Sequence, residues 1–240
     1  MLRQFLSTDD AHRASHVLRK LARHSVEIWA LTGGLAIELH RLIHGHEPSL
    51  RPLNDIDFVV DSFDDIPETL NRDFLFRHVH AADPPGRTLL QFVDSETAVR
   101  IDVFRAVGAT MSRTHTLDWT AGLGRIISPE DLWARSARLT LDLAEGAPMP
   151  AKHARDFLHL AGIAEPSAVQ RAWQEHRKRQ QPGTFEDARQ LANTLIPSST
   201  CLLIDPVYST GTNAVCPRCE STTQFPLADP NVILSLLGYC

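Results

Sequence analysis

The chain has no run approaching ~18 consecutive apolar residues, the length a membrane-crossing helix needs, so no membrane span is expected. It has no surplus of positive charge: 24 Lys and Arg stand against 29 Asp and Glu, a formal net charge of −5. That excludes a strongly basic nucleic-acid coat, which needs clustered cations against phosphates, but not local contact with a nucleic acid. Cysteine is scarce, and all four residues lie beyond position 200. The start, Met1-Leu2-Arg3-Gln4-Phe5-Leu6, lacks the long apolar core of an export signal. The expected compartment is therefore the cytoplasm, where thiols are reduced or bind metal rather than pair. No internal repeat occurs, and the composition fits neither collagen, coiled coil nor a disordered chain.

What is present is ordinary globular usage, 43% hydrophobic and 22% charged over 240 residues. Such a length buries a core without staples and forms one large domain or one domain with appendages. Residues 9–24 carry apolar side chains at helical spacing, with Asp9 or Asp10 as the expected cap. Val26 to Leu31 reads as a buried strand ending at Thr32-Gly33-Gly34, and Leu35 to Ile43 as the following helix. Residues 44–54 form a loop, and Ile56 to Val60 a second strand. Three more strands are expected at Phe74–Val79, Thr88–Val93 and Ala98–Phe104, with the Pro84-Pro85-Gly86 turn between the first two. Ser128-Pro129-Glu130-Asp131 is a helix start, with Ser as cap, Pro in the first turn and acids at the positive end. That helix is expected to run to about Leu143, with others over 151–161, 167–179 and 184–195. Three regions follow from this pattern: 1–125 with the sheet, a helical region at 126–196, and a cysteine-bearing tail at 197–240.

The chemistry-bearing residues fall in three segments: Leu31-Thr32-Gly33-Gly34, Asn54-Asp55-Ile56-Asp57-Phe58 and Arg100-Ile101-Asp102-Val103-Phe104. Gly33 and Gly34 let backbone approach a phosphate at a helix start, although a tight turn alone would also use them. Asp55 and Asp57 are two apart, so on a strand they share a face. Two carboxylates held together repel unless a cation lies between them, although a solvated strand end would also carry them. Asp102 is a single acid in an apolar strand, costly there unless it faces a site, a partner or solvent. If the two strands are neighbours, three carboxylates converge. Such an arrangement could hold two Mg²⁺ ions and activate a hydroxyl for attack on a nucleoside triphosphate.

With these segments in this order, the chain resembles the DNA-polymerase-β-like nucleotidyltransferases, a superfamily that includes antibiotic and minimal nucleotidyltransferases and AbiEii-type toxins. The resemblance covers about residues 26–161. It implies a mixed α/β (α+β) sheet with flanking helices, Gly33 and Gly34 at the triphosphate, and Asp55 and Asp57 on Mg²⁺. Asp102 would be the third acid and general base. Lys152-His153-Ala154-Arg155-Asp156 is similar to the helical part of AbiEii-type members, which implies Lys152 on a phosphate and Asp156 orienting it. The pair also reads as an exposed helical ion pair, since positions four apart share a helix face. Two features depart from the family pattern. Gly34 and Asp55 are separated by 21 positions, a loop insertion, and Asn54 stands where Ser or Thr is usual.

Cys216-Pro217-Arg218-Cys219 is a Cys-x-x-Cys knuckle, and with Cys201 and Cys240 it would complete a tetrahedral structural Zn²⁺ site. Free thiols and a redox pair are the other readings. The functional expectation is Mg²⁺-dependent transfer of a nucleoside monophosphate from an NTP to an acceptor, with pyrophosphate released. The acceptor is an RNA such as tRNA, a protein or a small molecule. A helical region would close the nucleotide cleft. The other readings are a non-catalytic nucleotide-binding or partner-binding module and the toxin of a toxin–antitoxin pair with an antitoxin-like partner.

Overall fold

In the computed structural model, residues 1–77, 89–117 and 124–205 are described. The Pro84-Pro85-Gly86 turn and Cys216, Cys219 and Cys240 lie outside the described residues. No helix among the described residues is long and apolar enough to cross a membrane.

The architecture is a mixed sheet flanked by helices, as the sequence led us to expect. The sheet is built from β1 (Ala30–Thr32), β2 (Asp55–Val60), β3 (Leu75–Arg77), β4 (Leu89–Val93), β5 (Arg100–Arg105), β6 (His115–Thr116) and β7 (Arg125–Ile126). Its order is β3-β4-β5-β2-β1-β7-β6. β2 runs parallel to β5, and β1 parallel to β7, while the other neighbours are antiparallel. Two short strands, β8 (Met149–Pro150) and β9 (Leu203–Ile204), form a separate parallel pair. The two-residue strands β6 to β9 escape sequence reading because two residues carry no alternation to detect.

The helices are α1 (Thr8–Leu21), α2 (Gly33–Ile43), α3 (Pro129–Thr140), α4 (Ala151–Leu160), α5 (Pro166–His176) and α6 (Phe185–Ser198). The cap of α1 is Ser7, whose side chain accepts from the Asp10 amide at 3.1 Å; Asp9 and Asp10 occupy the first turn instead. The stretch expected as strand from Val26 is a turn up to Trp29, with Val26 and Trp29 buried and Glu27 and Ile28 exposed, closed by the Trp29 amide on the Val26 carbonyl. A short apolar run does not by itself distinguish a turn from a strand. Trp29 fills the core there, with ring centroids 5.7 Å from Phe58 and 6.4 Å from Phe92. Ser128 caps α3 as expected, but α3 gives way to a 3-10 turn (Leu141–Glu145) ending on left-handed Gly146.

One continuous hydrophobic cluster runs from Phe5 to Ala192 through the sheet and helices. Period-two alternation turns Ile56, Phe58 and Val60 of β2, with Ile101 and Val103 of β5, into it. The opposite face carries Asp55, Asp57, Arg100 and Asp102. On the helical side, Trp133 of α3 packs between Phe157 of α4 and Phe185 of α6, at 6.0 and 4.7 Å. These contacts fix α3 and α4 beside the polar face of the sheet.

Candidate active site

Strand pairing assembles the acids. β2 and β5 are parallel with Asp57 opposite Asp102 and Asp55 opposite Arg100. In-register neighbours on a parallel ladder present side chains on the same face, so carboxylates 45 positions apart in sequence converge. One oxygen from each of Asp55, Asp57 and Asp102 lies within 4.8 Å of the others. The antiparallel neighbour β4 brings Gln91 opposite Asp102, and its Nε2 donates to Asp102 Oδ1 at 3.0 Å.

Gly33 begins α2 one residue after Thr32, which pairs with Asp57 across the sheet. Its φ is +66°, and a Cβ there would fall 1.9 Å from Asp57 Oδ2. Glycine is therefore required twice, by conformation and by the closeness of the carboxylate. A Cβ on Gly34 would fall 2.8 Å from Arg51 Nη1.

Burial and the two neighbouring acids push the Asp57 carboxyl well above the usual carboxylate range; Arg135 and Lys152 oppose this. Burial also raises Asp102, opposed by the Arg100 guanidinium. Arg100 reaches both flanking acids, with Nη2 2.6 Å from Asp55 Oδ2 and Nε 2.9 Å from Asp102 Oδ1. Asp57 has no hydrogen-bond or ion-pair partner among the described residues.

Of the three acids, Asp55 and Asp57 open onto a cavity of about 370 Å³ between the sheet, α2, α3 and α4. Gly33, Gly34, Asp55 and Asp57 line one side. Arg135 of α3, with Lys152 and Arg155 of α4, brings positive charge to the other, and His153 lies beside them. Arg135 lies over the Phe104 ring at 4.5 Å and has no ion-pair partner among the described residues. Burial lowers the His153 imidazole to about 4, leaving it neutral near pH 7. Leu35, Ile37, Leu132 and Leu139 supply an apolar floor.

Arg51, in the inserted loop, braces the cavity. Its Nε donates to buried Glu38 of α2 at 2.7 Å, and its Nη2 donates to Asp156. Asp156 lines the cavity with Lys152, but its carboxylate is engaged by Arg51. The loop is thus tied to both walls. Arg51, Arg135 and His153 escaped sequence reasoning because isolated basic residues on helices and loops read as solvated. The only signal was Asp156, an acid buried on a helix face and in need of a cation. Cys201 is exposed, and its three expected zinc partners lie outside the described residues.

The donor set suits a hard divalent cation: carboxylate oxygens only, with one carboxylate, Asp57, that has no hydrogen-bond or ion-pair partner among the described residues and is seated against Gly33 where a Cβ would collide with it. No sequence-family profile matches the chain, and neither does any curated protein. Among solved structures, it is similar to an antigenic nucleotidyltransferase-like protein from Paracoccidioides brasiliensis. That match has 17% identity and a TM-score of 0.43, and covers 82% of this chain and 92% of the other. The JHP933 protein from Helicobacter pylori matches at 14% identity and a TM-score of 0.36, covering 82% and 93%. A protein described as a putative nucleotidyltransferase from the same bacterium matches at 11% identity and a TM-score of 0.29, covering 81% and 93%. At these scores the likeness carries no functional argument, which rests on the geometry of the acids and the cavity.

Proposed function

We propose that the chain is a Mg²⁺-dependent nucleotidyltransferase that moves a nucleoside monophosphate from an NTP to an acceptor hydroxyl and releases pyrophosphate. One observation carries the reading: three carboxylates converge on one sheet face beside a left-handed glycine, and two of them, Asp55 and Asp57, share a cavity with Arg135, which has no ion-pair partner among the described residues. Asp55 and Asp57 hold the ion. A bound Mg²⁺ supplies charge neutralisation at the triphosphate oxygens. The amides at the start of α2, from Gly33 and Gly34, bind phosphate oxygens without side-chain obstruction. Arg135 and Lys152 face the same oxygens and stabilise the charge that moves onto the leaving pyrophosphate. Asp102 accepts the acceptor hydroxyl's proton at Oδ2, the oxygen turned away from Gln91 and Arg100. Burial raises Asp102, which makes it a stronger base once ionised. The apolar floor and neutral His153 leave room for the nucleoside. Catalysis here is chiefly positioning and charge neutralisation.

The test is calorimetric titration with each of the four NTPs, with and without Mg²⁺. Mg²⁺-dependent binding that disappears in Asp57→Asn is expected. Binding of no NTP, or binding indifferent to both Mg²⁺ and Asp57, overturns the reading.

A further inference from the structure

Three clustered carboxylates invite two divalent ions, but the oxygens are not equally available. Arg100 Nη2 donates to Asp55 Oδ2, while Arg100 Nε lies in ion-pair contact with Asp102 Oδ1, the oxygen that accepts from Gln91. An ion bridging Asp55 and Asp102 would have to lie beside the guanidinium that already spans the two acids, like charge against like charge. Among the described residues, nothing holds Asp55 Oδ1, Asp102 Oδ2 or either oxygen of Asp57. The ladder sets this division: Arg100 is the register partner of Asp55 and lies two positions before Asp102, so its side chain rises between them on one face. The planar guanidinium fork engages two carboxylates at once.

We propose that Arg100 stands in the place of a second divalent ion, so that the acid cluster binds one ion, on Asp57 and the outer oxygen of Asp55. This rests on the nucleotidyl-transfer reading of the cluster. Charge agrees with it. Three carboxylates and one guanidinium carry a net charge of −2, which one divalent cation cancels, whereas two cations would leave the cluster positive beside Arg135 and Lys152. Arg100 is a positioning residue here: it holds Asp55 and Asp102 at their spacing and leaves Asp102 Oδ2 to the acceptor.

The experiment counts bound Mn²⁺ by equilibrium dialysis with spin-resonance detection of free ion, on the full chain without nucleotide. Wild type should bind one Mn²⁺, Arg100→Lys one, and Arg100→Gln two. Without ion, Arg100→Gln should melt below wild type because three carboxylates are left to repel. Saturating Mn²⁺ should raise its melting temperature more than that of wild type, a readout independent of activity. Two ions on wild type, or one on Arg100→Gln with an unchanged melting response, overturns the role of Arg100. In that case, loss of the ion in Asp57→Asn leaves the wider reading standing. No Mn²⁺ on any of these proteins overturns both.

Discussion

Gly33 is where a single side chain decides whether the site exists. Its left-handed φ of +66° costs an ordinary residue about 1–2 kcal/mol, and a Cβ would collide with Asp57 Oδ2. Gly33→Ala should therefore lower stability by about 1–2 kcal/mol in urea unfolding. It should also displace the Asp57 carboxylate, and a misplacement of about 1 Å costs on the order of 100-fold in a preorganised site. The nucleotidyl-transfer rate of the variant measures this; a wild-type rate would show that Asp57 tolerates the shift. Gly34→Ala meets the flexible end of Arg51 instead and should do less. Both glycines were legible as a pair after a strand. Which of them faces the acid was not, because that depends on the register of β1 against β2.

At the level of elements, α3 is anchored by a polar hub at its N-terminus. Asp131 is almost fully buried and accepts from Arg113 at 2.7 Å through both oxygens. It also meets Thr110, Ser128 and His176. Ser128 in turn caps the Asp131 amide at 3.1 Å. The hub ties α3 and α5 to the turn that follows β5, and α3 carries Arg135 into the cavity. Its hydrogen bonds, with Arg113 foremost, hold the Asp131 carboxyl below the usual range against burial. Arg113 keeps Glu175 at 2.6 Å, so Asp131→Asn should lower stability by about 2 kcal/mol, through weakened charge-assisted hydrogen bonds rather than an orphaned charge. Ser128→Ala should cost about 1 kcal/mol, the ordinary value of a cap. Chemical denaturation of both variants measures the two losses; equal losses would mean that the ion pair adds nothing beyond the cap. The cap was plain in Ser128-Pro129-Glu130-Asp131. Arg113 and His176, 18 and 45 positions away from Asp131, left no local trace of their pairing with it.

For the whole molecule, pH is the simplest probe of how the layers hold together. His40 of α2 is buried against the Ile127 carbonyl at 2.8 Å, joining α2 to the chain just beyond β7. Burial lowers its imidazole to about 4 from the ordinary 6.5. The unfolded chain therefore binds a proton that the folded chain refuses between those values. Stability from this residue is complete above pH 6.5 and is lost as pH falls toward 4, by roughly 3 kcal/mol over the full span. Asp131 has the same sign over a lower window, losing its contribution as pH falls below the normal carboxylate range. Urea midpoints from pH 7 to 4 should fall for wild type and fall less steeply for His40→Gln. Parallel curves for the two proteins would exclude His40 as the source.

The sequence by itself determined the acids, the glycines, the capped helix and the alternation that gives β2 and β5 one apolar and one polar face. These are local properties, set by periods of 2 and 3.6 and by the chemistry of single residues. Tertiary structure alone decided that β2 and β5 are parallel neighbours with Asp57 level with Asp102. It also decided that Arg100 lies between two of the acids, and that Arg51 and Arg135 come to the cavity from a loop and a helix. The physical reason is that register and long-range ion pairing arise from packing the whole core, and neither leaves a period or a spacing in the chain that a local reading detects.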